Sequence, residues 1–240
     1  MRNLEQVLAA GEIYIAYQPI IDLRTKKIFS FEALVRSAAP EFPGPFQIIK
    51  AAVENDYMAQ LGRALRKLSV EGCPDHPLFI NIHPNEFSAG WLVRPDDAIH
   101  QHEHQVFLEI TESVPLSHHK HCHSVLKEIR AKDIKIAVDD LGAGYSNLKY
   151  IADLAPEIVK LDRELIENLD KKPRLKDLVH SIVELCVKQG ALVVAEGIET
   201  HEELVACMDA GAHLAQGFYL ARPNAVLPDS NWADIIAGRK

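Results

Sequence analysis

The chain alternates between short apolar segments typical of β-strands and longer amphipathic segments typical of helices. Two apolar segments, 12–20 and 28–36, are separated by the polar turn LRTKK, and this spacing predicts an antiparallel hairpin. Further strands are predicted at PLFINIH, VFLEIT, IKIAVDD, IVKLD, LVVAEG and HLAQGFY. Helices are predicted at about 46–71, 88–100, 117–132, 145–154, 163–189 (broken near Pro173) and 200–210.

This order of segments predicts the fold class. Alternation of strands and helices implies a parallel sheet. Eight strands in 240 residues favour an α/β fold, a (β/α)8 TIM-like barrel with an antiparallel first strand, over an open doubly wound sheet. Connections are short, and no low-complexity linker or internal repeat divides the sequence. We therefore expect one domain spanning residues 1–240.

A polar residue interrupts or ends nearly every predicted strand after the first. These residues are Glu32, Asn81, Glu109, the pair Asp139 and Asp140, Lys160, Glu196 and Gln216. Active sites of barrels lie at the C-terminal ends of the strands, so these side chains are expected to converge on one pole. Crowded acids repel one another, and hard oxygen ligands suit Mg²⁺ or Mn²⁺ better than Zn²⁺. The pattern predicts a metal-dependent enzyme.

The acidic pair needs a special backbone. Asp139 and Asp140 are adjacent and would point to opposite faces of a regular strand. Asp140 can reach the same site only if the strand ends there, and the following glycines, Gly142 and Gly144, supply the backbone freedom. We therefore expect the strand to end at Asp140.

Charge and composition exclude several classes of protein. The net charge is −8 and the pI is about 5.8, so no broad basic face is expected to bind polymeric nucleic acid. A small phosphate ligand stays compatible, because bound cations reverse the local charge. No apolar run approaches the ~20 residues of a membrane helix, and no signal peptide is recognisable, so a cytoplasmic location is expected. The four widely spaced cysteines are expected to be reduced thiols.

Eight motifs resemble those of the EAL domain family, which comprises bacterial phosphodiesterases and receptors for cyclic di-GMP. They are YQPI, FEALVR, NIHPNEF, LEITES, VDDLGAGYSNL, IVKLDREL, VVAEGIET and QGFYLARP, in the family's order and over essentially the whole chain. The family's fold is a TIM barrel with one antiparallel strand, in agreement with the predicted hairpin. The resemblance implies hydrolysis of cyclic di-GMP to linear 5′-pGpG with two Mg²⁺ or Mn²⁺ ions.

The resemblance also implies a role for individual residues. The implied metal ligands are Glu32, Asn81, Glu109, Asp139 and Asp140, with Asp139 bridging the two ions. The implied catalytic residues are Glu196, Lys160 and Asp139, of which Lys160 and Glu196 would bind or orient metal-bound water. The implied substrate contacts are Gln18, Arg36, Asp162 and Gln216, with Arg36 suited to a phosphate oxygen. Glu112 would tether the loop after Asp140, and Glu199 would support the second ion.

Three departures from the family pattern bear on affinity and association. The segment between Glu32 and Asn81 is shorter than usual, Ser37 replaces the common tryptophan, and the loop reads DDLGAGYSN where DDFGTGYSS is usual. The family resemblance implies a homodimer in which this loop and Glu112 couple association to metal binding. The departures concern this coupling and the contacts to the guanine bases, and no metal-binding position is lost.

Alternatives remain open from the sequence alone. One is an EAL receptor or interaction domain that binds without hydrolysis, and another is a different barrel metalloenzyme that acts on another phosphate ester. No sensory domain is recognisable, so control is expected to come from a regulatory protein partner, from oligomerisation or from a region outside this chain. Histidines at 100–104 and 118–123 could bind transition metals, but they are more simply interpreted as solvated loop and helix-start residues.

Overall fold

Eight strands close into a barrel in chain order. The computed structural model describes residues 2–111, 122–143, 148–228 and 232–238. The strands are β1 (Ile13–Asp22), β2 (Lys27–Ser37), β3 (Leu78–Asn81), β4 (Val106–Thr111), β5 (Lys135–Leu141), β6 (Ile158–Leu161), β7 (Leu192–Ala195) and β8 (Leu214–Ala215). β1 runs antiparallel to β2 and to β8, and the other neighbouring strands are parallel. The predicted TIM-like barrel with an antiparallel first strand is confirmed.

Helices connect most of the strands. The described helices are α1 (Leu4–Ala9), α2 (Pro45–Glu54), α3 (Met58–Gly72), α4 (Cys122–Ala131), α5 (Lys149–Leu154), α6 (Arg163–Ile166), α7 (Pro173–Lys188), α8 (His201–Asp209) and α9 (Trp232–Ile236). The break predicted near Pro173 is confirmed, since this proline is the first residue of α7, where its missing N–H costs no helical bond. Parts of the helices predicted at 117–132 and 145–154 lie outside the described residues.

Several elements differ from the sequence prediction, and α1 and α9 were not predicted. The helix predicted at about 46–71 is two helices, α2 and α3, separated where Asp56 adopts a positive φ of 52°. The prediction of a helix at about 88–100 is wrong, because Gly90 takes a left-handed conformation and the segment forms short 3₁₀ turns. The last strand is shorter than HLAQGFY, because the Gln216 carbonyl accepts a hydrogen bond from the loop at Ile198 and not from a strand.

The inside of the barrel is built in two layers. The lower layer is a buried apolar floor formed by Ile20, Phe79, Phe107, Ala137, Ile158, Val194 and Leu214. The rings of Phe79 and Phe107 stack with their centroids 4.3 Å apart. On β3 to β8, the residue two positions after each floor residue is polar, and strand periodicity places it directly above the floor. The upper layer contains Asn81, Glu109, Asp139, Lys160, Glu196 and Gln216.

A buried ion network anchors the connection between β3 and β4, where the described chain has only 3₁₀ turns. The Arg66 guanidinium on α3 bonds to Asp97 at 2.7 Å and pairs with Glu86, and all three side chains are buried. Glu86 also accepts a hydrogen bond from the backbone of His83 at 3.0 Å. A side chain at Gly62 would collide with the Glu86 carboxylate, so the close approach of α3 requires glycine. The network fixes the turn that follows Asn81.

The remaining core lies between the strands and the surrounding helices. The four cysteines are buried as free thiols, as predicted, and they belong to this core. No helix in the described ranges combines the length and apolar character that a bilayer span requires. Residues of α4, α7 and α8 belong to the same clusters as the strands, so these helices pack on the barrel.

Candidate active site

A cavity of about 300 Å³ opens at the C-terminal ends of the strands. Its wall includes the carboxylates of Glu32, Asp139, Asp140 and Glu196 together with Lys160. Glu109 does not line the cavity but contacts Lys160, and its side chain is buried. The structure thus brings together all the residues that were expected at the pole, although Glu32 comes from the middle of β2 and not from its end. The convergence follows from the parallel strands, whose carboxyl ends meet on one side of the barrel.

Lys160 is the electrostatic centre of this cluster. Its side chain is 1% exposed, and its Nζ lies 2.5 Å from Glu109 Oε1, 2.7 Å from Glu196 Oε1, 3.1 Å from Asp139 Oδ1 and 3.5 Å from Glu32 Oε2. Burial disfavours the ammonium ion, but attraction to the surrounding carboxylates outweighs it and holds the pKa of Lys160 well above its ordinary value. Lys160 is therefore charged, and it offsets only part of the acidic charge around it.

Side-chain amides fix the orientation of the Glu32 carboxylate. Asn81 Nδ2 donates to Glu32 Oε1 at 3.2 Å and to Glu109 Oε2 at 2.9 Å. Gln216 Nε2 donates to the other Glu32 oxygen at 2.6 Å and to Gln18 Oε1 at 3.2 Å. Burial opposes ionisation of Glu32, but the charge of Lys160 and these amide donors together lower its pKa. Glu32 is therefore a preorganised anion.

The other acids carry unfavourable negative charge. Burial and then the charge of Glu32 raise the pKa of Glu109 well above its ordinary value. Burial likewise raises the pKa of Glu196, and its neighbours Asp139 and Glu32 raise it further. Burial and the adjacent Asp139 raise the pKa of Asp140 to about 6. The cluster therefore has more acidic groups than its single lysine can neutralise.

These residues fit divalent cations. Carboxylate oxygens of Asp139, Asp140 and Glu196 all lie within 4.8 Å of one another. Gln216 Oε1 is buried and accepts no hydrogen bond from the described residues. The available donors are carboxylate and amide oxygens, which are the ligands that Mg²⁺, Mn²⁺ and Ca²⁺ prefer. A cation here would supply the missing positive charge.

Asp140 reaches this cluster by a route that the sequence did not predict. The strand does not end at Asp140 but continues to Leu141, and the pairing of β5 with β6 shifts register between Val138 and Leu141. Asp140 adopts a positive φ of 58°, the left-handed conformation that aspartate tolerates better than most residues. This β-bulge turns the carboxylate toward the side occupied by Asp139.

The predicted substrate contacts fall into two groups. Gln18, Asp162 and Gln216 line the cavity with the acids. Arg36 instead lines an adjoining, largely apolar cavity of about 370 Å³ that shares Glu32 with the first. The Arg36 guanidinium donates to the carbonyl of Val35 at 2.8 Å. Asp162 also caps α6, accepting from the backbone N–H of Glu164 at 2.7 Å.

Sequence reasoning missed Arg163, which holds the loop that carries Glu196. Its guanidinium pairs with Glu199 at 3.0 Å and donates to the carbonyl of Gly197. Nothing in the sequence distinguishes this residue from an ordinary arginine at the start of a helix. Glu199, expected to support the second ion, is exposed and is engaged by Arg163. Glu112 lies outside the described residues.

The first histidine patch is tied to the backbone. His100 Nε2 lies 2.9 Å from the carbonyl of Leu92, and His102 Nε2 lies 2.9 Å from that of His76. Burial lowers the pKa of His100, which favours its neutral form. In the described part of the chain, the group of Asp139, Asp140 and Glu196 has the close spacing of metal ligands, and these histidines do not. Residues 118–121 of the second patch lie outside the described ranges.

Known proteins resemble this chain in sequence and in fold. The sequence model of the EAL domain matches residues 1–223. The cyclic di-GMP phosphodiesterase PA2567 of Pseudomonas aeruginosa is 30% identical over 245 residues, which cover 95% of this chain and 41% of the relative. The cyclic di-GMP phosphodiesterase RocR of the same organism is 28% identical over 242 residues, covering 95% of this chain and 61% of the relative. This chain therefore spans about two fifths to three fifths of the length of these relatives.

Solved structures of the same family have a similar fold. The calcium and cyclic di-GMP complex of BlrP1 from Klebsiella pneumoniae superimposes with a TM-score of 0.78 at 30% identity, covering 91% of this chain and 57% of that one. The manganese and cyclic di-GMP complex of the same protein gives a TM-score of 0.75, also at 30% identity, covering 89% of this chain and 56% of that one. Both complexes contain a divalent cation and the cyclic dinucleotide.

Proposed function

Since the chain belongs to the EAL domain family, we propose that it is a metal-dependent phosphodiesterase that hydrolyses cyclic di-GMP to linear 5′-pGpG. One observation carries the proposal: an ordered cluster of buried acids around Lys160, with excess negative charge, faces a cavity large enough to admit part of a dinucleotide. Relatives named as cyclic di-GMP phosphodiesterases, and a structural neighbour that binds the dinucleotide with calcium or manganese, support it.

The proposed cofactors are two Mg²⁺ or Mn²⁺ ions. The residues that would hold them are Glu32, Asn81, Glu109, Asp139 and Asp140, with Asp139 shared. When bound, such ions would neutralise the phosphate, lower the pKa of a coordinated water and stabilise the leaving oxygen. The calcium and manganese complexes of the neighbour support a divalent cation. We also propose that the site is active with Mg²⁺ or Mn²⁺ and poorly active with Ca²⁺.

The chain's own residues would organise the hydrolysis. Water oxygen forms a bond to phosphorus, one P–O3′ bond breaks, and a proton reaches the departing 3′-oxygen, which leaves 5′-pGpG. Glu196 lies on the cavity wall, where its carboxylate would accept a proton from the water that attacks the phosphate. Lys160 holds Glu196 at 2.7 Å and adds positive charge near the reacting phosphate.

Other residues would position the substrate. Gln18 and Gln216 line the cavity and keep Glu32 in place, so a substrate there contacts a rigid wall. Arg36 would reach a phosphate oxygen from the adjoining cavity, and Asp162 would contact the ligand at the start of α6. We further propose that residues 1–240 form a single domain and that the protein is a cytoplasmic homodimer controlled by a regulatory protein partner.

A turnover assay tests the proposal directly. The protein is incubated with cyclic di-GMP and Mg²⁺ or Mn²⁺, and 5′-pGpG is followed by chromatography. The control variants are Asp139→Asn in the cluster and Asp153→Asn on the exposed surface of α5, where the acid pairs with Lys149. We expect product from the parent and from the surface variant, and none from Asp139→Asn.

Two outcomes would change the assignment. If calorimetry shows tight binding of cyclic di-GMP but no 5′-pGpG forms with either metal, the protein is a receptor and not an enzyme. Absence of both binding and product would refute the proposed ligand as well as the proposed reaction.

A further inference from the structure

The connection between β3 and β4 follows a proposed metal ligand without the support of an α-helix. Residues 82–105, all of them described, contain 3₁₀ turns at Pro84–Ala89, Trp91–Val93 and Ala98–His100. The other connections between parallel strands of the barrel contain at least one described α-helix. Some other interaction must therefore orient the turn that follows Asn81.

Apolar packing alone does not orient this turn. Phe87 is buried in the core between strands and helices, but hydrophobic contact is not directional. On the other side, Asn81, His83 and Glu86 lie in the wall of the largely apolar cavity of about 370 Å³. Asn81 is itself exposed, so neighbouring side chains do not enclose it. Directional bonds are needed to fix the geometry at the end of β3.

Arg66 supplies such bonds from α3. Its side chain is 1% exposed, its Nε lies 3.1 Å from both carboxylate oxygens of Asp97, and its Nη2 donates to Asp97 Oδ2 at 2.7 Å. The Nη1 atom of the same guanidinium pairs with Glu86. Asp97 also accepts from the backbone N–H of Ile99 at 3.4 Å. One arginine thus joins the first and the last 3₁₀ turn of the connection to the same helix.

The path from Arg66 to Asn81 is short. Glu86 Oε1 accepts from the backbone N–H of His83 at 3.0 Å, while Glu86 Oε2 pairs with Arg66. His83 lies two residues after Asn81. The residue between them, Ile82, donates its N–H to a carbonyl of β4 at 3.0 Å. The backbone that leaves Asn81 is therefore held at two successive residues, and one of these bonds leads to Arg66.

Stability does not account for such a network. Replacing a buried ion network by apolar side chains of similar volume is often neutral or stabilising, and the best-attested role of such a network is to select one geometry. Here the selected geometry is that of the turn after Asn81. Asn81 Nδ2 is bonded to Glu32 and Glu109, which leaves its Oδ1 as the atom that can face a cation.

We propose that Arg66 is a positioning residue for the metal ligand Asn81. Through Glu86 and the N–H of His83, it holds the end of β3 so that Asn81 Oδ1 is directed toward the ion. Residues that orient a ligand without touching the metal typically contribute tenfold to a hundredfold to metal affinity. The inference rests on the proposed function, since it assumes a divalent cation at Asn81.

Titration with Mn²⁺, followed by the EPR signal of the free ion, tests this role without turnover. Arg66→Lys keeps the charge but removes the planar guanidinium that reaches both carboxylates. The apolar triad, Arg66→Met with Glu86→Leu and Asp97→Leu, removes all three charges together. The control is Arg63→Lys on α3, at an arginine that pairs at 2.7 Å with the exposed Asp96. Thermal unfolding sets a temperature at which every variant is folded, and the titrations are run there.

We expect Arg66→Lys and the apolar triad to weaken Mn²⁺ binding roughly tenfold to a hundredfold, and Arg63→Lys to stay within twofold of the parent. A structural role alone would lower Tm and leave the Mn²⁺ affinity of the folded protein unchanged. Asn81→Ala should also weaken binding. Adding it to the apolar triad should cost less than about twofold further, because both changes disable the same ligand.

Mn²⁺ affinity within twofold of the parent in both Arg66 variants, or a loss that adds fully to that of Asn81→Ala, would overturn the positioning role and leave the proposed function standing. If the apolar triad does not fold, Arg66→Lys takes its place in the combination with Asn81→Ala. A parent that binds no Mn²⁺ would overturn the metal dependence of the proposed function, and the positioning role with it.

Discussion

Replacing Lys160 by methionine should destabilise the protein when metal is absent. The substitution keeps a side chain of similar length and removes the one cation that, within the described ranges, contacts these four buried or partly buried carboxylates. Removing one partner of a buried ion pair costs roughly 3–5 kcal/mol, because the other charges remain unpaired in a poorly solvated site. Protonation of Glu109 and Glu196, whose pKa values burial already raises, should keep the loss near the lower end of that range.

Thermal unfolding in EDTA measures this loss. For a domain of this size each kcal/mol lowers Tm by roughly 2–4 °C, so a loss of about 3 kcal/mol should make Lys160→Met unfold about 6–12 °C below the parent. The matched control is Lys176→Met, at a lysine on α7 that forms an exposed 2.9 Å pair with Asp209. An exposed pair is worth at most ~1 kcal/mol. Saturating Mn²⁺ should narrow the deficit of Lys160→Met, because a bound cation replaces part of the missing charge.

Two results would refute this reasoning. A Tm in EDTA for Lys160→Met that equals that of Lys176→Met would show that Lys160 does not compensate the acids. A deficit that Mn²⁺ leaves unchanged would show that the same carboxylates do not bind the added cation.

Four further predictions concern activity and binding. EDTA should abolish hydrolysis of cyclic di-GMP, Mg²⁺ or Mn²⁺ should restore it, and Ca²⁺ should do so poorly because its larger shell misplaces the attacking water; full activity in excess chelator would contradict this. Glu196→Ala should lower kcat strongly while calorimetry still detects cyclic di-GMP binding, and wild-type turnover would show that its role is misassigned. Arg163→Met should lower kcat more than it raises KM, because Arg163 holds the loop that carries Glu196, and Arg163→Lys should restore part of the loss. Glu167→Gln removes only the weaker 3.7 Å partner of Arg163 and should match the parent. Equal kinetics of Arg163→Met and Glu167→Gln would show that Arg163 does not position this loop. Arg36→Ala should weaken cyclic di-GMP binding by ~1.5–3 kcal/mol, the range for a charge-assisted hydrogen bond, and unchanged affinity would place the phosphate contact elsewhere.

Much of the barrel and its polar layer could be predicted because both depend on local periodicity. Glu109 interrupts an apolar run, and alternation along a strand places Asn81 on the same face as Phe79. The family motifs then gathered these positions into one site. A pattern with a period of two residues is readable without knowing any distant partner.

The features that could not be predicted depend on conformation or on distant partners. The bulge at Asp140 needs a positive φ at a residue other than glycine, and no residue type announces it. The buried Arg66 finds Glu86 and Asp97 at separations of 20 and 31 residues, with no periodicity to connect them. Arg163 likewise meets Gly197 across 34 residues.

The hydrogen bond between Gln216 and Gln18 has a consequence for how the protein acquires its site. It joins residues 198 positions apart in the chain, at the seam where the last strand meets the first. Gln216 also orients the Glu32 carboxylate. In a folding intermediate whose last strand has not yet met the first, Glu32 would lack this hydrogen bond and its carboxylate would not be oriented. Contacts of such long sequence separation are slow to form. Competence to bind metal should therefore appear late in refolding, and the recovery of Mn²⁺ affinity would time the closure of the barrel.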